Sequence, residues 1–216
     1  MNPPTREDSP GLTALASLRR FVRPRVVRER CALCDVELTP DHAHLVELAS
    51  RQLVCACDAC AILFSAQGGA RYRRVPRRVQ WLGDFRLTDE AWEGLQLPIN
   101  LAFFFHSTPL GRVVVMYPSP AGATESLVTL DAWEELTAAN PVLREFEPDV
   151  EALLVNRVGS ARDCYRLGID ECYRLVGLIR MHWRGLSGGQ AVWAEIGRFF
   201  TGLRERSHPT ESGRHA

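Results

Sequence analysis

No lysine occurs in this chain: all 26 basic side chains are arginine. A phosphate loop of the G-x-x-x-x-G-K-[ST] type is therefore excluded, because nothing supplies its lysine. The pattern suits a GC-rich genome, since lysine codons are AT-rich, and it says little about phosphate recognition. An excess of one charge is also missing. The 26 basic residues face 26 acidic ones, so the formal net charge is zero and no whole-protein field draws the chain to nucleic acid or anionic lipid. Long hydrophobic runs are absent too. A stretch such as LAFFF at 101–105 falls far short of the ~20 apolar residues that cross a bilayer. The start, MNPPTREDSP, carries acidic residues and no apolar core, so it does not read as a secretory signal. These absences predict a cytoplasmic protein, in a compartment where clustered thiols ligate metal rather than form disulfides. There is no dinucleotide fingerprint, nucleophile elbow, internal repeat or low-complexity domain, and no catalytic motif emerges.

What is present is a crowd of metal-binding side chains. Cys31, Cys34, His42, His44, Cys55, Cys57 and Cys60 fall within thirty residues, in the run CALCDVELTPDHAHLVELASRQLVCACDAC. Two CxxC pairs, Cys31/Cys34 and Cys57/Cys60, flank 22 residues; counted to Cys55 the interval is 20. Paired CxxC turns separated by about 15–20 residues are a zinc signature. Each turn places two thiolates on one side of a knuckle, and a hairpin brings the second turn alongside the first. Cys57 and Cys60 are favoured for the second pair. Residues three apart at a helix start face the same way, and the helix dipole favours thiolate there. Cys55 is then a buried neighbour or a reserve ligand, and His42 or His44, at strand spacing, can replace one cysteine. Four cysteines suit zinc, with an iron–sulfur cluster as the alternative. A closed four-cysteine zinc site is structural, and its binding stabilises the module by an amount on the order of 10 kcal/mol.

With 46% hydrophobic residues in 216, the chain can build one ordinary core plus a small metal module. Residues 1–27 read as a disordered start with a short amphipathic segment at 12–22, and 28–70 as the cysteine-rich module. HLVEL (44–48) and RQLVC (51–55) look like a hairpin, and CDACAILFSA (57–66) like a short helix ended by Gly68-Gly69. Residues 71–206 read as an α+β domain, and 207–216 as a disordered tail. Within the domain, RYRRV and RVQWL are short strands split by Pro76, and TDEAWEGL is a capped helix. INLAFFFH and RVVVMYP form a buried antiparallel pair. Asp131 and Glu134 suggest a capping box for DAWEELTAA, and EALLVNR is a strand. Asp170 is read as the cap of a helix with Cys172, Leu175, Val176, Ile179 and Trp183 on one face, and Gly188-Gly189 precede the last helix. The fold class is α+β: a zinc-ribbon-like module of four cysteines, then a domain of mixed antiparallel sheet and helices.

Other candidates have plainer readings. Arg71, Arg73, Arg74, Arg77 and Arg78 interleave with Tyr72 and Trp81, as a nucleic-acid face would, but a solvated strand pair explains them equally and is favoured by zero net charge. His106 ends a strand. Cys172 belongs to an apolar helix face, and Cys164 has no base beside it. The letters GLSGGQ after His182-Trp183-Arg184 need only be a glycine turn. Asp149, Asp163, Asp170 and Glu171 offer carboxylates that nothing in the sequence brings together.

The phrases CALC…HAHLVEL…CACDACAILF, LAFFFHS…VVVMYPSPAGATES, LDAWEELTAANP, EPDVEALLVNR and CYRLVGLIRMHWRGLSGG, spanning about residues 28–205, resemble an uncharacterised actinobacterial family of unknown function. Genes of that family sit beside subunits and maturation factors of a high-affinity nickel–iron hydrogenase. The resemblance implies an accessory role with a hydrogenase subunit or maturation factor as partner, and no catalytic residue; only the cysteine positions carry over, as metal ligands. The expectation is a zinc-stabilised accessory factor. An iron–sulfur electron-transfer or redox protein and a zinc-ribbon nucleic-acid-binding regulator are the alternatives.

Overall fold

A computed structural model describes residues 28–65, 71–126, 130–185 and 188–209, with side chains omitted for 130–132 and 208–209. The segments expected at 1–27, the Gly68-Gly69 stop and the tail past residue 209 lie outside the described residues. The protein is α+β and carries two sheets. The smaller has three antiparallel strands, β1 (Ala43–Glu47), β2 (Gln52–Ala56) and β3 (Tyr72–Arg74), in the order β2-β1-β3. The larger has seven: β4 (Val79–Trp81), β5 (Leu101–Ser107), β6 (Arg112–Ser119), β7 (Gly122–Ser126), β8 (Glu151–Asn156), β9 (Asp163–Gly168) and β10 (His208–Pro209). Their order is β10-β4-β9-β8-β5-β6-β7, antiparallel except for the parallel β10–β4 pair. Among the described residues five α-helices accompany them: α1 (Asp58–Ser65), α2 (Asp89–Gly94), α3 (Leu130–Ala139), α4 (Ile169–His182) and α5 (Gly189–Arg206).

The period of two along each strand divides the large sheet's side chains between two cores. Leu101, Phe103, Phe105, Leu154, Tyr165 and Leu167 pack with α4 and α5, whose Cys172, Leu175, Ile179, Phe199 and Leu203 are buried. Ala102, Phe104, Leu153, Val155 and Cys164 face the opposite side, against Trp92 of α2, Leu136 of α3 and Leu143. The Phe103-Phe104-Phe105 run is therefore apolar without alternation because both faces of β5 are covered.

The small sheet obeys the same rule. Ala43 and Leu45 of β1 pack with Cys31, Ala56, Cys60 and Ala61 in a separate small core. Val46 points the other way and joins the core of the large sheet, together with Val75. The module thus shares a core with the domain, and the even-numbered face of β1, which carries His42 and His44, looks toward that domain.

Four elements differ from the sequence expectation. β9 lies in what reads as a polar stretch, because Arg166 is buried there. Its guanidinium donates to both Glu151 carboxylate oxygens at 2.7–3.1 Å and to the Glu145 carbonyl at 2.6 Å. β7 is a polar edge strand. Asp170 is not the cap of α4. Gly168 takes that position without a side-chain hydrogen bond, and Asp170 sits in the first turn with its Oδ2 2.8 Å from His44 Nδ1. A Cβ at Gly168 would stand 2.5 Å from the Pro76 carbonyl oxygen, so glycine is what lets α4 start against the segment joining β3 to β4. The two strands expected around Pro76 do form, and they enter different sheets. The polar end expected from Ser207 begins with β10, where His208 and Pro209 pair with Gln80 and Trp81 of β4.

Glu151 is the most demanding polar group in the core. Its side chain is fully buried, and it accepts from Arg78 Nε at 2.6 Å, from Arg166 and from the Glu147 N–H at 2.8 Å. Burial alone would raise its pKa, but these donors outweigh burial and hold the carboxyl below the usual glutamate value. A lowered folded pKa contributes stability above the unfolded value, and that contribution is lost as pH falls through the folded one. Glu151→Ala should therefore cost about 3–5 kcal/mol in urea unfolding at neutral pH, because it strands a buried arginine. The wild-type protein should lose stability more steeply than the variant as pH drops through the carboxylate range; parallel acid limbs would show that Glu151 carries no ionic stabilisation.

Candidate metal centre

The first CxxC forms a knuckle. Cys31 donates its N–H to the Val36 carbonyl at 2.8 Å, Asp35 donates to the Cys31 carbonyl at 2.9 Å, and Asp35 adopts a left-handed φ of 63°. Arg30 grips the Asp35 carboxylate with two hydrogen bonds of 2.9 and 2.8 Å, which holds the turn. The knuckle docks on the hairpin through Ala32 N–H to the Cys55 carbonyl, 2.9 Å. The second CxxC straddles the start of α1. Cys57 occupies the cap position: its carbonyl accepts from Ala61, and its Sγ lies 3.5 Å from the Cys60 N–H.

These turns bring Cys31, Cys34, Cys57 and Cys60 together, with their sulfurs all within 4.8 Å of one another. Such a group can hold a metal ion such as zinc. The Cys34–Cys57 sulfur separation is 3.7 Å, far too long for a disulfide. It matches the edge of a tetrahedron built on metal–sulfur bonds of about 2.3 Å. Cys31 and Cys60 are buried, while Cys34 and Cys57 close the outer side. Burial works to raise the Cys31 pKa, but backbone N–H donors from Cys57, Leu33 and Cys34 overcome it and bring the thiol down to about 6. Cys60 is pushed up to about 12 by burial and by its sulfur neighbours. Without a cation, four thiolates so close together repel one another, and a bound cation would offset that repulsion.

His42, His44 and Cys55, weighed above as alternates, do not join that group. They form a second one on the opposite face of the hairpin, with one donor atom of each within 4.8 Å of the others. Register with His44 puts Cys55 on that face, and β2 ends at Ala56 so that Cys57 turns to the other group, which spacing alone does not reveal.

The remaining candidates take their plainer roles. Each of the five arginines at 71–78 meets a carboxylate: Arg71 with Glu47, Arg73 with Asp149, Arg74 with Asp58, Arg77 with Asp41 and Arg78 with Glu151. His106 is exposed. Cys172 is fully buried, and Cys164 is 6% exposed with its pKa raised to about 12, chiefly by burial, which makes it an inert thiol. Asp149 is spent on the Thr108 N–H and hydroxyl. Among the described residues no helix is long and apolar enough to cross a membrane.

Cys34→Ser and Cys60→Ser should each abolish binding of the ion held by the four sulfurs, whereas Cys164→Ser should leave metal content unchanged, as read by elemental analysis of purified protein. Equal content across these variants would refute the grouping. Chelation should lower the thermal midpoint of the wild-type protein sharply, because binding energy at such a site is folding energy.

No curated protein and no solved structure matches the chain. One family does match, over residues 30–207, a span that takes in both CxxC turns, all five described helices and every strand except β10. The chain therefore belongs to DUF5947, a family of unknown function.

Proposed function

We propose that this protein is a cytoplasmic, zinc-stabilised accessory factor that works by protein–protein contact, in the service of a nickel–iron hydrogenase. Cys31, Cys34, Cys57 and Cys60 hold the zinc. Protein sulfur takes every tetrahedral position, so the ion has no place for substrate and serves to shape the module. The compact sulfur group favours a single ion over a cluster, whose irons carry their thiolates outward. All seven cysteines are free, which fits a reducing compartment.

The observation that carries the contact role is the outer face of α1. Ile62, Leu63 and Phe64 are 60%, 65% and 43% exposed, one after another on a helix whose cap and first turn each bear one of the four cysteines. Consecutive exposed apolar side chains mark a surface that another molecule covers. The ion that anchors the start of α1 also sets the direction in which that face points. The hydrogenase as the system served rests on the resemblance of the long sequence phrases, and the pairing of all five arginines at 71–78 weighs against the nucleic-acid alternative.

Two measurements test the reading. Protein purified without oxygen should contain zinc and show no visible absorption; a brown, iron-containing preparation would replace zinc with the iron–sulfur alternative. Cells carrying Leu63→Asp together with Phe64→Asp should make a folded, zinc-containing protein yet lose most hydrogenase activity, as a gene deletion should. Full activity in the deletion strain would end the accessory proposal.

A further inference from the structure

The second donor group lies where the small sheet faces the large domain. His42 and His44 share one face because strand side chains alternate, and His44 is paired across the hairpin with Cys55. The two imidazole rings stand 4.8 Å apart, centroid to centroid, with their planes at 72°.

The hydrogen bonds of these rings leave specific lone pairs. His42 Nδ1 is 2.8 Å from the Thr39 carbonyl oxygen, which can only accept, so Nδ1 carries the proton and Nε2 is bare. That Nε2 is buried and has no hydrogen-bond partner among the described residues, and the His42 side chain is only 6% exposed. A buried acceptor without a donor is costly and calls for an explanation. His44 Nδ1 sits 2.8 Å from Asp170 Oδ2, which again assigns the proton to Nδ1 and leaves Nε2 free. A histidine held by a carboxylate through its second nitrogen is the usual arrangement behind a metal ligand. A purely structural His44–Asp170 link between sheet and helix would account for neither the bare His42 nitrogen nor the arrival of Cys55.

The three residues open on a cleft of about 670 Å³ that Arg77, Arg78 and Tyr173 also line. Of the arginines that line it, Arg77 pairs with Asp41 and Arg78 with Glu151, while Arg174 and Arg206 share Glu171.

We propose that His42, His44 and Cys55 form a second metal site, which takes one divalent transition-metal ion of the borderline class that includes zinc. Two imidazoles and one thiolate are ligands for that class, and three protein ligands leave a fourth position for water or a small ligand in the cleft. Asp170 is its positioning residue. None of its ligands belongs to the four-sulfur group, and it does not depend on the partner proposed above.

The test is titration of the apo full-length chain with cobalt(II) or zinc(II) alone, read by stoichiometry, by competition with a chelator and by the cobalt absorption bands. Cys55→Ala and His42→Ala should each bind one equivalent less than the wild type, while keeping the spectrum of the four-sulfur ion, which also reports that they fold. Asp170→Asn should keep the stoichiometry but weaken the second ion by about 10–100-fold. If Cys55→Ala or His42→Ala binds as many ions as the wild type, the proposal is overturned. The four-sulfur site fails by a separate result, an undiminished stoichiometry in Cys34→Ser.

Discussion

The register of the β1–β2 hairpin is the constraint on which the rest of the amino-terminal third depends. Pairing His44 with Cys55 and Ala43 with Ala56 carries the chain out of β2 at the point where Cys57 meets the first knuckle. The same register puts Cys55 on the histidine face. A slip of one residue would turn every side chain to the opposite surface, moving Leu45 out of its small core and Val46 away from the large one. The turn is built to prevent it. Arg51 closes it with an N–H to the Glu47 carbonyl at 2.8 Å while adopting a left-handed φ of 58°, a conformation that costs a non-glycine residue about 1–2 kcal/mol. Burial on both faces of β1 outweighs that cost.

The hairpin is in turn held by the domain it faces. Val46 and Val75 are packed in the large core, His44 reaches Asp170 at the start of α4, and Arg73 reaches the Pro148 carbonyl at 3.0 Å. Arg78, just beyond β3, is fixed by the buried Glu151. The module therefore does not behave as a separate bead. Its second face is completed by residues more than a hundred positions away, and the cleft exists only because the two parts close on each other.

Much of this was legible in the sequence. CxxC spacing identified the four sulfurs, and Thr88 announced α2, where its hydroxyl accepts the Ala91 N–H at 3.1 Å. The β5–β6 pair and the last two helices also followed from local pattern. What was not legible depended on distant partners. Arg166 makes β9 look like a loop until Glu151 is placed beside it. Asp170 has the composition of a helix cap, but the close approach permitted by Gly168 delivers it to His44 instead. Cys55 could not be separated from Cys57 by counting, because one belongs to a strand and the other has already left it for α1. Strand parity accounts for His42, His44 and Cys55 sharing a face, and the end of β2 at Ala56 turns Cys57 away from it.

The two sets also differ in charge, and this difference explains why one chain would carry both. Four thiolates more than neutralise a divalent ion and leave the complex negative, so its electrophilicity is suppressed and its value lies in cohesion. Two neutral imidazoles and one thiolate leave the same ion with a positive charge, able to attract and polarise an oxygen ligand. The closed set sits beneath α1 in the small core, where cohesion is needed. The open set sits at a cleft, where a ligand can reach it. Cys55 and Cys57 are separated by a single residue, Ala56, whose side chain is fully buried, so the β2 backbone ties the two positions together rigidly. Whatever orders the four sulfurs thereby also constrains the position of Cys55 at the cleft, and a module too small to be rigid alone would gain the firmness that the proposed three-ligand site requires.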